Sequence, residues 1–184
     1  MNEIIQIIFL SLAVSIISTL AATVMGIMIS LILLFKDFKL KKIIIRITNT
    51  LMSMPPVLMG LLMYLILSRK GPLGGFRLLF TPTAMVITQT LLILPIIISL
   101  TYSYLMRVEE EIRKNCIALG IQKKFIIRII MKESLPQMIS IVSTGFGRGI
   151  SEVGAAMIIG GNIKGHTRIM TTYIAMETGK GNFN

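Results

Sequence analysis

Long apolar runs alternate with short charged segments along this chain. The apolar runs occupy approximately residues 4–35, 48–67, 83–106 and 136–159. A transmembrane helix needs about 20 mainly apolar residues, and a membrane β-barrel would show alternating rather than continuous apolar positions. The pattern therefore predicts an all-α integral membrane protein, a helical bundle with about four spans.

Basic residues are distributed unevenly between the charged segments. Segment 36–46 holds five lysines and arginines and segment 107–135 holds seven, whereas connection 68–82 and tail 160–184 hold three each. Cytoplasmic loops of membrane proteins are enriched in Lys and Arg. We therefore predict a multi-pass protein of the cell membrane with 36–46 and 107–135 in the cytoplasm and the N-terminus outside.

The composition agrees with a membrane protein. Only 15% of the residues are charged and 54% are hydrophobic, which leaves too little polar surface for a soluble domain of this size. The net charge of +11 is then explained by basic residues retained on the cytoplasmic side rather than by binding to nucleic acid.

Candidate catalytic and cofactor-binding motifs are absent from the sequence. One cysteine allows neither an intrachain disulfide nor a cysteine metal cluster, and no glycine-rich phosphate-binding loop occurs. His166 is the only histidine, and a lone histidine in a loop is more often a surface residue than a ligand. We expect no enzymatic activity, no metal and no cofactor bound by this chain.

Three prolines fall inside the predicted spans: Pro55, Pro56 and Pro95. Proline removes a backbone donor and bends or breaks a helix. Each is predicted to kink its helix, either for packing or to shape a pathway.

The charged segment 107–135 has the pattern of a helical elbow. Three acids at 109–111 suit a helix N-terminus, Gly120 suits a helix stop, and Pro136 suits the first turn of the next span. Between them a second amphipathic helix is predicted, with Phe125, Ile126, Ile129 and Ile130 on one face. The elbow could be an amphipathic loop held to anionic lipid or a docking surface for a protein.

The order of residues in the elbow resembles the cytoplasmic loop of ABC-importer permeases of the MetI-like type. The resemblance rests on Ala118-Leu119-Gly120, the amphipathic helix after it, and Leu135-Pro136. The family often has Glu-Ala-Ala where this chain has Lys114-Asn115-Cys116. The resemblance implies that a short helix docks on an ATPase subunit through Lys114, Asn115, Cys116, Ala118, Leu119 and Gly120.

Stretches 53–74, 79–101 and 147–183 resemble tungstate-type oxyanion permeases, with molybdate and sulfate permeases as relatives. The resemblance implies a single permease domain over 1–184, a homodimer, an ATPase partner that uses ATP, and an extracytoplasmic substrate-binding protein. These permeases have a further span after the outer loop, so we expect a chain that lacks its final helix.

Arg148 and Glu152 are charged positions inside the fourth apolar run. Four residues apart, they would share a helix face and could pair, and intramembrane ionisable residues are functional-site candidates. The pair could guide an anion along a polar pathway or brace the fold. The glycines around it allow close helix approach: Gly145, Gly147, Gly149 and Gly154.

Two other classes of function remain open from the residues alone. A small membrane scaffold could use the elbow to bind lipid or a partner that is not an ATPase. An ion channel would conduct without nucleotide.

Overall fold

A computed structural model describes residues 2–119, 121 and 123–182. In these residues the regular structure is helical throughout. A 3-10 turn at Gly74–Phe76 separates the third and fourth helices. The α-helices are α1 Asn2–Phe35, α2 Lys41–Met52, α3 Pro56–Leu67, α4 Pro82–Ala118, α5 Lys123–Ile150, α6 Gly154–Gly160 and α7 Met170–Gly179.

Helices α1 and α4 form the centre of the bundle, and α5 packs against both. Ala22 of α1, Ile93 and Ile97 of α4, and Ile141 of α5 form one buried apolar cluster. A Cβ on Gly26 would lie 2.6 Å from Cγ2 of Ile97, so α1 and α4 approach closely at that level. The core of the bundle therefore depends on small residues facing branched ones.

The predicted count of four spans is not confirmed. In the described residues, two helices are long and apolar enough to cross a membrane, and a third span results if α2 and α3 count as one broken segment. These two meet at an angle of 109°. The bend predicted at Pro55 and Pro56 is thus a complete break, with Pro56 as the first residue of α3, whereas Pro95 lies inside α4.

The prediction of a separate short helix beginning at Glu109 is wrong. Helix α4 continues without interruption from the third apolar run to Ala118. Two i,i+4 ion pairs support this extension: Arg113 with Glu109 at 3.1 Å, and Lys114 with Glu110 at 3.0 Å. Gly120, the predicted stop, lies outside the described residues.

Pro136 does not begin a span, contrary to the prediction. It lies inside α5, which joins the predicted amphipathic helix to the predicted fourth span. The bond that Pro136 cannot donate would go to the carbonyl of Lys132 on an exposed turn, where the carbonyl can find another partner. The interruption comes instead at 151–153, so residues 136–159 are not one continuous helix.

Contacts between distant segments define two ends of the bundle. Lys164 Nζ lies 2.8 Å from Glu3 Oε2, and the Phe80 amide donates to the Ile159 carbonyl at 3.0 Å. At the other end, Leu34 packs with the cluster that contains Cys116. Segments 36–46 and 107–135 therefore share one end, and the N-terminus, connection 68–82 and loop 161–169 share the other.

Helix α7 was not predicted. The sequence marked residues 160–184 only as a tail, but α7 forms within them and docks on α1, where the Met170 amide donates to the Ser11 hydroxyl at 2.7 Å. A turn precedes it: Gly160 ends α6, and Gly161 and Asn162 both have positive φ.

Candidate functional site

The end of α4 presents the residues predicted to contact an ATPase. Lys114, Asn115, Ala118 and Leu119 are exposed, and Leu119 keeps 75% of its surface accessible. Cys116 instead points inward, where it packs with Leu105, Ile126 and Ile130. The described part of the predicted segment thus divides into an exposed face and one anchoring residue.

A groove of about 440 Å³ lies beside this exposed face, between α4 and α5. Leu119, Asn115 and Glu111 line one side, and Ile129 and Glu133 line the other. Its lining combines apolar side chains with the two carboxylates. Such a surface suits an inserted protein segment with apolar and basic side chains.

Helix α5 has three distinct faces along residues 134–150, and Ser151, the first residue after the helix, continues one of them. Successive residues are about 100° apart around an α-helix, so each face is made of residues three or four positions apart. The buried face packs into the bundle and consists of Ser134, Met138, Ile141, Gly145 and Gly149. An outward apolar face consists of Leu135, Ile139, Val142, Phe146 and Ile150.

The third face of α5 is outward and polar, and we call it the polar stripe. It extends for about 21 Å at a rise of 1.5 Å per residue, with Arg148 at its edge. Its members are all exposed: Gln137, Ser140, Thr144, Gly147 and Ser151.

The glycines of α5 and of the start of α6 lie in different surroundings. A Cβ at Gly145 would lie 2.9 Å from Ile93 Cγ2 and from Ile97 Cδ1, whereas a Cβ at Gly147 would meet nothing within 4 Å. The predicted close helix approach is confirmed at Gly145. It is also confirmed at two further glycines, by contacts at 3.0 Å and 2.6 Å from the added Cβ: Gly149 and Gly154.

The predicted pairing of Arg148 with Glu152 is wrong. Helix α5 ends at Ile150, so the i,i+4 relation that would join them does not form. Glu152 is 7% exposed, and its Oε1 accepts the Ala155 amide at 2.9 Å. The carboxylate therefore caps α6, while Arg148 remains on α5, in the last turn, where the helix dipole favours a cation.

A buried amide ties α4 to the end of α5. Gln89 donates from Nε2 to the Gly149 carbonyl, and its Oε1 lies 3.2 Å from the Ser18 hydroxyl of α1. The sequence reasoning missed Gln89. Gln89 could have been identified from the sequence as an amide in the middle of an otherwise apolar run. Polar groups inside membrane segments are costly and usually have a role.

The two short helices that follow the breaks touch backbone to backbone. A Cβ on Gly60 of α3 would lie 2.7 Å from the Ala155 Cα of α6. The breaks before α3 and α6 therefore lie side by side, and α6 can be held by its contact with α3 as well as by Glu152.

At the opposite end from the groove, Glu3 bridges Lys164 and Arg168, at 2.8 Å and 3.4 Å. His166 is exposed there and lines a cavity of about 130 Å³ with Gln6 and Arg168. In the described ranges no group of three His, Cys, Asp or Glu side chains could hold a metal ion.

Comparison with known proteins places this geometry in context. Residues 22–180 match the family described as "Binding-protein-dependent transport system inner membrane component". The chain is 43% identical over 181 residues to a tungstate uptake system permease protein, TupB, of Peptoclostridium acidaminophilum, covering 98% of this chain and 79% of that protein. It is 38% identical over 177 residues to a probable anion ABC transporter permease of Haloferax volcanii, covering 94% and 76%. A TupB of Campylobacter jejuni is 40% identical over 149 residues, covering 81% of this chain and 62% of that protein.

Proposed function

Because this chain belongs to the family of binding-protein-dependent transport system inner membrane components, we propose that it is the permease subunit of an ABC importer for an oxyanion, with tungstate as the substrate. The observation that carries the proposal is the similarity along nearly the whole chain to a tungstate permease. The anion permease of Haloferax volcanii supports the same class of substrate.

The proposed transporter contains two copies of this chain, two ATPase subunits and an extracytoplasmic binding protein. The ATPases bind and hydrolyse ATP, and this chain binds no cofactor. Orientation follows the basic residues: the end with 36–46 and 107–135 faces the cytoplasm and the N-terminus faces outward. The sharing of one end by these two segments supports this assignment.

The polar stripe of α5 is proposed to line the pathway. Hydrocarbon cannot solvate the amide of Gln137 or the guanidinium of Arg148, whereas the neighbouring apolar face with Ile139 can face lipid. Two copies related by a twofold axis would turn their stripes toward each other. A narrow polar channel with Arg148 at its edge would favour a small divalent anion.

Coupling to ATP is proposed to act through the exposed end of α4. The ATPase would contact Leu119 and the adjacent groove, and α4 would carry the displacement along its length of about 54 Å at 1.5 Å per residue. Gln89 connects α4 to the end of α5 at Gly149. A push on the cytoplasmic end can thereby change the position of the polar stripe.

An uptake assay with a matched pair of variants tests the proposal. Leu119 and Phe76 are both large apolar residues in connecting segments, 75% and 73% exposed, at opposite ends of α4. In cells that also make the ATPase and the binding protein, Leu119→Asp should abolish ATPase co-purification and tungstate uptake, and Phe76→Asp should retain the co-purification.

Competition by unlabelled anions tests the substrate. Tungstate should compete best for uptake, ahead of molybdate and sulfate. Uptake that continues in Leu119→Asp, or ionic conductance without nucleotide, would contradict the importer proposal. Stronger competition by molybdate or sulfate would contradict only the choice of anion.

A further inference from the structure

Helix α2 carries an apolar stripe that the described part of the chain leaves uncovered. Its inner face packs through Ile44 and Ile45 against a cluster that contains Leu33 and Tyr102, and its Asn49 accepts a hydrogen bond from Ser99 at 2.6 Å. The uncovered apolar stripe lies on another side of the helix and consists of four residues, each 39–59% exposed: Leu40, Ile43, Ile47 and Leu51.

A basic face borders the apolar stripe. Lys42 and Arg46 are exposed and lie one helical turn apart. Five basic residues and one acid occur between positions 36 and 46, and the acid, Asp37, is paired with Lys41 at 2.9 Å. The surface of α2 therefore offers apolar side chains and an excess of positive charge side by side.

The orientation of α2 excludes a path straight across the membrane alongside α3. The two helices meet at 109°, so both cannot follow the membrane normal. Helix α3 is apolar on its outward side, with Val57, Leu61 and Leu65 exposed, and suits the hydrocarbon. Helix α2 carries charges and suits the headgroup region, where amphipathic basic helices lie in the membrane plane.

We propose that α2 lies in the headgroup layer of one leaflet and binds anionic phospholipid. Ile43 and Ile47 enter the upper acyl region, while Lys42 and Arg46 extend to the phosphates. The attachment anchors the segment that leads into the break at Pro55. This inference rests on the proposed orientation, which puts α2 at the cytoplasmic face, and it is independent of which anion is transported.

Charge complementarity favours lipid over a second copy of this chain as the occupant. A twofold contact through α2 would bring the two basic faces close together, and like charges at short distance repel. The cytoplasmic leaflet instead carries negative lipids, which attract Lys and Arg by about 1 kcal/mol each, or roughly a fivefold preference.

The absence of tryptophan from the chain allows a depth measurement with one introduced indole. The full-length Ile47→Trp variant is reconstituted in bilayers with quenching labels either near the headgroups or near the acyl ends, and Leu61→Trp, in the middle of α3, serves as the deep control. The indole at position 47 should be quenched most by the shallow label and that at position 61 by the deep label. Strongest quenching at position 47 by the deep label, by aqueous iodide or by neither lipid label would overturn the proposal.

Lipid charge is tested with the same reporter. In mixed bilayers, brominated phosphatidylglycerol should quench the indole at position 47 more than brominated phosphatidylcholine does, because each basic residue should enrich the anionic lipid locally by about fivefold. Lys42→Gln with Arg46→Gln should remove most of this preference, and the matched pair Arg69→Gln with Lys70→Gln, in the connection at the opposite end, should preserve it. Equal quenching by the two lipids, or a preference that survives loss of Lys42 and Arg46, would show that α2 does not bind anionic lipid.

Discussion

The buried face and the polar stripe of α5 use the same kind of residue for opposite purposes. Gly145 lies on the buried face, where an added Cβ would lie 2.9 Å from two isoleucine side chains of α4, and Gly147, two positions later, faces open space. Small residues on a membrane helix can therefore have different structural roles. At Gly145 the lack of a side chain allows two helices to touch, and at Gly147 it leaves room beside an outward polar surface.

The largest expected effect comes from filling the buried face. Gly145→Val should destabilise the protein by about 1–3 kcal/mol because the new methyl groups must displace Ile93 and Ile97. The measurement is thermal unfolding of the purified protein in detergent. Gly147→Val is the matched control on the same helix and should unfold near the parent temperature; equal losses at both positions would show that the two faces do not differ.

A smaller loss is expected from removing the cap of α6. Glu152→Ala should cost about 1–2 kcal/mol, because the Ala155 amide loses its acceptor in a buried site. Glu152→Gln keeps an acceptor oxygen and should retain most of the stability. The same unfolding assay separates the two, and identical behaviour of both variants would contradict the capping role.

Arg148 lies at the edge of the polar stripe, and its replacement should affect transport rather than folding. Arg148→Gln should leave the unfolding temperature within about 0.5 kcal/mol of the parent, as for surface substitutions, while the rate of anion uptake falls several-fold. If Arg148 were an essential partner of Glu152, its loss would instead leave a buried charge unpaired and cost about 3–5 kcal/mol.

The only gain in stability, and a small one, is expected at Gly147. Gly147→Ala should stabilise α5 by up to about 1 kcal/mol through helix propensity, since the methyl group meets no neighbour. A clear loss of stability in the unfolding assay would show that Gly147 packs against a neighbour. It would then contradict the distinction between the buried face and the polar stripe.

The coarse features of the molecule could be predicted from the sequence because they depend on local chemistry. Apolar runs mark the helices of the bundle, the basic residues mark a shared end, and Pro55-Pro56 marks a break. The second break, at residues 151–153, could not be predicted from the local sequence. Arg148 and Glu152 are four residues apart, which is the spacing of neighbours on one helix face. That break is stabilised by contacts distant in sequence, such as Thr171, whose hydroxyl donates to the Glu152 carbonyl at 2.8 Å.

The candidate site was only partly predictable for the same reason. The exposed end of α4 followed from the resemblance of residues 114–120 to a known loop. The polar stripe required knowledge of which face of α5 is buried, and that depends on how α1 and α4 pack against it. The role of Gln89 likewise depends on its hydrogen bond to the carbonyl of Gly149, which is 60 residues away.

Accessibility of introduced cysteines tests the central claim, that the polar stripe lines an aqueous pathway. In a Cys116→Ala background, Ser140→Cys and Thr144→Cys sample the stripe and Ile139→Cys samples the apolar face. In the complex with its ATPase and binding protein, a charged thiol reagent should modify positions 140 and 144, tungstate should slow that reaction, and position 139 should stay unmodified. Equal reaction at positions 139 and 140, or no reaction at either stripe position, would contradict the claim.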